Sequence, residues 1–137
     1  MTKLLGALAL AIMFTQAASA DALTRTSNER GVKVEVTPLN LSPAGADTLE
    51  FRVVMDSHTV DLKYDLSQIA LLRDDRGNTY RPSSWQGPAG GHHVAGALRF
   101  AQGREIMKLR PAHLELQIDG VAGVPRRSFR WDAKAFN

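Results

Sequence analysis

Apolar and polar side chains alternate strictly in Leu114-Glu115-Leu116-Gln117-Ile118-Asp119. This period of two indicates a β-strand with one buried face, because successive side chains of a strand point to opposite sides. The same alternation occurs from Val32 to Thr37 and from Leu49 to Asp56. These three segments therefore predict strands that bury one face each against a common core.

Shorter segments extend this pattern along the chain. They are Ile69 to Leu72, Thr79 to Arg81, Val94 to Phe100 and Phe129 to Trp131, and the apolar run Ile106 to Leu109 makes an eighth strand if it is counted. Sustained helical periodicity is missing, and Asp61 to Gln68 offers one helical turn. The expected fold is therefore all-β, an antiparallel immunoglobulin-like β-sandwich of 7–8 strands, with a small β-barrel as the alternative.

Two connections carry clear turn signals. Gly77 in the run from Asp74 to Asn78 can adopt a positive φ, which predicts a hairpin between its flanking strands. The adjacent carboxylates Asp74 and Asp75 are interpreted as turn-forming residues exposed to water. Residues 82–91 are rich in Pro, Ser and Gly, which predicts a longer loop.

The N-terminus has the layout of a secretory signal peptide. Lys3 precedes a short apolar run, and Ala18-Ser19-Ala20 is a small-residue cleavage site. We therefore predict a signal peptide at residues 1–20, a single β-sandwich domain at 21–137 and a periplasmic or secreted protein. The apolar run is shorter than the roughly 20 residues of a transmembrane helix, so stable membrane insertion after cleavage is not expected.

Composition narrows the range of functions. The 137 residues include 44% hydrophobic and 23% charged residues, as in an ordinary globular domain, and no cysteine. The lack of cysteine excludes disulfides, thiolate nucleophiles and blue-copper sites. Loss of residues 1–20 lowers the formal net charge from +3 to +2, because they carry Lys3 and no acid. Nucleic acid is therefore not an expected partner, and Arg126, Arg127 and Arg130 are interpreted as a solvated strand edge.

Histidines provide the best candidates for ligand chemistry. His92 and His93 follow two glycines, and Asp56 and His58 share one face at the end of a predicted strand. His58, His92 and His93, with Asp56, could bind zinc or copper(II), and Met55 or Met107 would favour copper(I). The competing interpretation gives the histidines structural roles near turns and places both methionines in the core.

Aromatic residues and serine define two further hypotheses. Trp85 and Tyr80 flank the loop near the histidines and could form a platform for a partner or ligand, although Trp85 could instead plug one end of the sandwich.

Asp56, Ser57 and His58 are consecutive, so their side chains point in alternating directions and cannot form a catalytic triad. The sequence therefore predicts that the protein is not an enzyme.

Several motifs together resemble a group of small exported bacterial proteins with immunoglobulin-like sandwiches, most of them uncharacterised. The motifs are Val53-Val54-Met55-Asp56-Ser57-His58-Thr59-Val60-Asp61-Leu62, Leu72-Arg73-Asp74-Asp75-Arg76-Gly77-Asn78-Thr79-Tyr80-Arg81-Pro82, Gly90-Gly91-His92-His93 and Gly96-Ala97-Leu98-Arg99-Phe100. The resemblance implies the fold and an extracytoplasmic location. The chain is more loosely similar to periplasmic copper-handling sandwiches, but Asp21 stands where those proteins have an N-terminal histidine, and the chain lacks their methionine-rich run.

Three functional hypotheses are consistent with these patterns. The leading one is an exported, non-enzymatic binding or accessory module of unknown partner, whose functional end is formed where residues 56–58 and residues 85–93 converge. The second is a periplasmic copper- or zinc-binding protein. The third is a protein–protein adaptor that pairs through an exposed sheet edge.

Overall fold

The computed structural model describes residues 20–136, and the side chains of residues 22–136. Within this range nine strands form two antiparallel sheets. The strands are β1 (Arg25–Glu29), β2 (Val32–Pro38), β3 (Leu49–Ser57), β4 (Ala70–Asp74), β5 (Thr79–Tyr80), β6 (Ser84–Gln86), β7 (His93–Phe100), β8 (His113–Ile118) and β9 (Arg127–Asp132). The helices are α1 (Ala20–Leu23), α2 (Leu66–Ile69) and α3 (Gly103–Lys108), and the 3-10 turns are η1 (Val121–Gly123) and η2 (Ala133–Ala135).

The strand order separates the two layers. The first sheet has the order β1-β2-β3-β7-β6 and the second has the order β5-β4-β8-β9. Neither sheet closes on itself, so the predicted all-β sandwich is confirmed and the alternative of a small barrel is wrong. Among residues 20–136, no helix has the length and apolar character needed to cross a membrane. The predicted signal peptide lies outside the described residues, except for Ala20.

Aromatic side chains from both layers meet in the core. The Phe51 ring lies 5.8 Å from the Phe100 ring in an edge-to-face arrangement and 5.4 Å from the Trp131 ring. Phe51 belongs to β3 of the first sheet and Trp131 to β9 of the second, so this contact joins the sheets. The Trp131 indole N–H also donates to the carbonyl of Leu23 at 2.6 Å, which satisfies the buried donor.

The strongest alternating segments form strands where they were predicted, and three weaker segments differ. β1 carries no large apolar residue, and β6 lies inside the predicted loop of residues 82–91. The apolar run Ile106 to Leu109 belongs largely to α3 rather than to an eighth strand. Gly103 permits this helix to pack closely, because a Cβ there would lie 2.4 Å from the carbonyl oxygen of Ala46.

The hairpin between β4 and β5 forms as predicted, but Asp74 is buried rather than exposed to water. Gly77 has a φ of 82°, and the Asp74 carboxylate accepts hydrogen bonds from the backbone N–H groups of Arg76 and Asn78, the Asn78 amide and the Tyr80 hydroxyl. Burial opposes ionisation of this carboxyl, but the hydrogen bonds outweigh it, so its pKa lies below the ordinary value of 3.8. The carboxylate therefore forms the interior of the turn.

Arg127 is buried, which corrects the interpretation of the basic cluster as a solvated strand edge. Its guanidinium crosses from β9 to the turn between β1 and β2, where it donates to the carbonyls of Glu29 and Val32, both at 3.0 Å, and to Ser27 Oγ at 3.1 Å. Among the described residues, no atom accepts a hydrogen bond from Arg127 Nε. Burial lowers the pKa of this side chain. Arg127 thus ties the edge of one sheet to the other sheet.

Candidate functional site

Two segments that are distant in sequence form one edge of the sandwich, and we call residues 56–65 and 85–93 the rim. Asp56 and His93 are register partners on β3 and β7. Beyond the strands, the Ser57 N–H donates to the His92 carbonyl and the Leu62 N–H to the Gly91 carbonyl, both at 2.8 Å. The structure therefore brings together the two segments that the sequence analysis expected to converge.

The first concavity of the rim contains a paired carboxylate and imidazole. Asp56 Oδ1 lies 2.6 Å from His93 Nδ1 in a cavity of about 510 Å³ that is also lined by His58, Lys33 and Asn28. When Nδ1 carries the proton, its N–H donates a hydrogen bond to the carboxylate, and Nε2 of a neutral His93 keeps its lone pair available. The His93 side chain is 73% exposed, so its contact with Asp56 adds little stability, and the imidazole is open to a ligand.

The four predicted metal-binding residues do not all lie in the same cavity. Asp56, His58 and His93 line the same cavity, whereas His92 lines a different one. In the described part of the chain, no three His, Asp or Glu residues are grouped closely enough to hold a metal ion together. Met55 and Met107 are 0% and 3% exposed, as the core interpretation predicted.

A second concavity of the rim is open to solvent. It is about 640 Å³ in volume and is lined by Asp61, Lys63, His92 and the glycines that precede His92. The Gly91 N–H donates to Asp61 Oδ1 at 2.9 Å, and Lys63 Nζ lies 3.1 Å from Asp61 Oδ2. The hydrogen bond from Gly91 and then the one from Lys63 hold the pKa of the Asp61 carboxyl below its usual value. This concavity therefore presents charge of both signs together with one imidazole.

Trp85 lies at the other end of the rim and has two environments. Its ring packs against the core and fills space left by two glycines, since a Cβ on Gly96 would lie 2.6 Å from the ring and one on Gly87 2.3 Å. The same residue lines a cavity of about 430 Å³ together with Lys63 and Tyr64. No acceptor in the described range reaches its buried indole N–H. Trp85 thus lies on the edge strand β6, where it both packs against the core and borders a concavity.

Tyr80 is placed apart from the rim. It lies on β5 in the second sheet, where its hydroxyl donates to Asp74 Oδ2 at 3.2 Å. Burial and then the negative charge of Asp74 raise the pKa of this phenol. Tyr80 therefore belongs to the hairpin between β4 and β5, and it does not form a common surface with Trp85.

Three rim residues, Asp61, Lys63 and Tyr64, were missed by the sequence analysis. They lie in the connection between β3 and α2, and the Tyr64 hydroxyl accepts a hydrogen bond from the Ala122 N–H at 3.0 Å. Alternating charge at Asp61, Lys63 and Asp65 is the available sequence signal. That signal does not reveal the pairing with Gly91, which is 30 residues away from Asp61.

No protein-family model matches the chain, and no curated protein matches it. Among solved structures, the chain is similar to a DUF4426 family protein from Pseudomonas aeruginosa PAO1. The identity is 12%, the match covers 79% of this chain and 93% of that one, and the TM-score is 0.44.

Proposed function

We propose that this protein is an exported, non-enzymatic binding module with an immunoglobulin-like sandwich, and that its ligand contacts the rim. The observation that carries the proposal is the joining of residues 56–65 to residues 85–93, which forms two concavities that share Lys63 and Ala89 and a third that is lined by Asp56, His58 and His93. Their walls combine exposed imidazoles, carboxylates, the ammonium groups of two lysines and two aromatic rings. Such a mixture of polar groups on a preformed scaffold is typical of a recognition surface.

The environment of Ser57 favours binding over nucleophilic catalysis. Ser57 is 3% exposed, and its hydroxyl oxygen accepts hydrogen bonds from the N–H groups of Thr59 and Val60. The hydroxyl is therefore engaged in a turn, whereas the imidazole of His93 faces the cavity with Asp56. A nucleophile must lie within hydrogen-bond reach of its base. The hydrogen bonds described for the Ser57 hydroxyl come from backbone N–H groups rather than from an imidazole, which is not the arrangement of a catalytic serine.

Photo-crosslinking tests the binding proposal in the organism that produces the protein. A photoreactive phenylalanine analogue replaces His58 or Ala89 on the rim, and matched controls carry it at exposed Arg52 or Ser128 on the sheets. We expect a discrete adduct of one mass from the rim positions and none from the controls. Equal adducts at all four positions, or none at any, would contradict the proposal. N-terminal sequencing of the recovered protein tests export, with Asp21 as the expected first residue.

The pairing of Asp56 with His93 supports metal binding as a second candidate function. Imidazoles that bind metals commonly donate their other ring N–H to a carboxylate, which is the role that Asp56 can take. His93 Nε2 and the His58 imidazole would then bind copper(II) or zinc, with solvent completing the coordination. His92 belongs to another cavity and would not take part.

Thermal unfolding in the presence of each ion tests this second candidate. Untagged protein is treated with chelator and then titrated with copper(II) or zinc, together with the variants H58A, H93A and H92A. We expect one ion to raise the melting temperature of the wild type and of H92A, but not of H58A or H93A. An unchanged melting temperature with both ions, or an equal loss in H92A, would refute the assignment.

The edge strands give less support to the adaptor hypothesis. Of the four edge strands, β5 has two residues and β6 has three, with Pro82 and Pro88 on either side of β6. β1 and β9 have five and six residues, but they are joined to each other by hydrogen bonds from Arg25 Nε to the Arg130 carbonyl and from Arg127 to the Glu29 carbonyl, both at 3.0 Å. Strand addition depends on a row of backbone hydrogen bonds, and short edges offer few of them. The rim is therefore the favoured surface for a protein partner.

A further inference from the structure

A second candidate binding site lies at the opposite end of β3 from the rim. It is a groove of about 350 Å³ lined by Pro43, Met107, Arg110, Pro111, Ala133 and Phe136. The rim adjoins the end of β3 at Ser57, whereas Pro43 lies in the loop that precedes Leu49. The groove is therefore separate from the three concavities of the rim, and a ligand bound in it would be independent of the proposed function.

The groove has the composition of a small-molecule site. Five of its six described lining residues are apolar, and Arg110 is the charged one. Apolar walls with few polar groups are typical of small-ligand sites, and the volume lies near the lower end of their range of about 300–1,000 Å³. The groove is thus suited to a slender ligand with an apolar body.

The segment that carries Arg110 is held in place from both sides. The Arg76 guanidinium donates to the Leu109 carbonyl at 2.7 Å, and the Ala112 N–H donates to Asp75 Oδ1 at 3.0 Å. Between these contacts Arg110 has a φ of 48°, a left-handed conformation that is unfavourable for residues other than glycine. Such strain persists where the surrounding structure imposes it, and it is often found at ligand-binding positions.

Arg110 supplies the charge that selects the ligand. Its side chain is exposed and has no ion-pair or hydrogen-bond partner among the residues whose side chains are described. A guanidinium binds a carboxylate with two parallel hydrogen bonds, a geometry that a neutral head group cannot match. We propose that this groove binds a single-chain carboxylate of the fatty-acid type, with the chain against Met107 and Phe136 and the carboxylate on Arg110.

Methionine methyl resonances provide a direct test with the full chain. The sequence contains Met1, Met13, Met55 and Met107, so labelling the methionine methyl groups with carbon-13 gives one probe that lines the groove and one in a part of the core away from it. Met107 lines the groove, whereas Met55 is buried near the other end of β3 and serves as the internal control. The probe ligand is decanoate, kept below the concentration at which it forms micelles.

We expect decanoate to shift the Met107 resonance with saturation while the Met55 resonance stays fixed. Decanol, which has the same chain without the charge, should bind about tenfold more weakly, the effect of one charge-assisted hydrogen bond. R110Q should weaken decanoate binding by about the same factor, whereas K108Q, which removes a neighbouring exposed charge outside the groove, should not change it.

Three results would each overturn the proposal. They are a Met107 resonance that decanoate does not move, decanoate affinity that is the same in R110Q and the wild type, and equal affinity for decanol and decanoate. A joint, unsaturated drift of the Met55 and Met107 resonances would also count against it, because it indicates a general detergent effect. An unchanged Met55 resonance in R110Q without ligand shows that the variant is folded.

Discussion

The buried guanidinium of Arg127 allows a quantitative test of what holds the two sheets together. Three of its hydrogen bonds, to Ser27, Glu29 and Val32, are between 3.0 and 3.1 Å long. At about 1.5 kcal/mol for each bond from a charged donor, together they stabilise the fold by roughly 4 to 5 kcal/mol. Burial of a charge without a counter-ion and of the unpartnered Nε offsets about 2 to 3 kcal/mol of this. The net contribution is therefore about 2 kcal/mol.

Two substitutions distinguish how the planar guanidinium and the positive charge of Arg127 each affect the stability of the fold. R127M removes both the hydrogen bonds and the buried charge, so we expect it to lose about 2 kcal/mol of the free energy of unfolding. R127K keeps the charge, but a single ammonium nitrogen cannot reach the separate carbonyls of Glu29 and Val32. An incompletely paired buried charge is more costly, so R127K should lose about 3 kcal/mol or more.

Urea unfolding followed by tryptophan fluorescence measures both losses, with R126M as the matched control. Arg126 forms an exposed ion pair with Asp119 at 2.9 Å, and because solvent screens such pairs, its removal should change the stability far less than either Arg127 substitution. The reasoning is refuted if R127K is as stable as the wild type, or more stable than R127M. Either result would mean that positive charge, rather than the planar arrangement of donors, stabilises this position.

Three further predictions concern buried turns and close contacts. Because the folded-state pKa of Asp74 is depressed, its carboxylate stabilises the fold above the unfolded pKa of about 3.9 and loses this contribution as the pH falls through the folded value. D74N should therefore be less stable than the wild type by about 1 to 3 kcal/mol at pH 7, and urea unfolding should show the gap narrowing below pH 4; a gap independent of pH would contradict this. G96A should displace the Trp85 ring and shift its fluorescence to longer wavelength, and an unchanged emission spectrum would argue against the close packing seen here. G103A should lower the melting temperature, because its Cβ meets the Ala46 carbonyl, whereas unaltered stability would show that the N-terminus of α3 can move at little cost.

The sequence predicted the strands that bury a complete apolar face. β2, β3 and β8 alternate over six or more residues, so their burial follows from the period of two. β1 and β6 could not be found in this way, because β1 lies at an edge with polar side chains and β6 has three residues between prolines. Their pairing depends on the neighbouring strands rather than on their own composition.

The sequence around Arg127 contains a signal that its side chain is buried. Arg127 lies two residues before Phe129 and four before Trp131, so the period of two places all three side chains on the buried face of β9. Composition favours solvent for arginine, and that preference led to the wrong interpretation. The carbonyls of Glu29 and Val32, which accept hydrogen bonds from Arg127, lie at a turn about 100 residues earlier, and local sequence cannot reveal that contact.

The candidate site was predictable in outline but not in detail. The convergence of the segments around His58 and His93 followed from the expected antiparallel sandwich. The contact between Asp56 and His93 depends on the exact register of β3 and β7, and the placement of His92 in another cavity depends on the turn after Gly91. Residue types identified which chemical groups were available, whereas their grouping required the tertiary structure.

The pairing of residues 56–65 with residues 85–93 has a consequence for the order of events during folding. Asp56 and His93 are 37 residues apart, and contacts between distant parts of a chain form slowly because a long loop must close first. A nascent or partly folded molecule would therefore lack the rim, the surface that we propose for ligand binding. A ligand of the rim would then bind only fully folded molecules. By mass action, its binding would shift the folding equilibrium towards the native state.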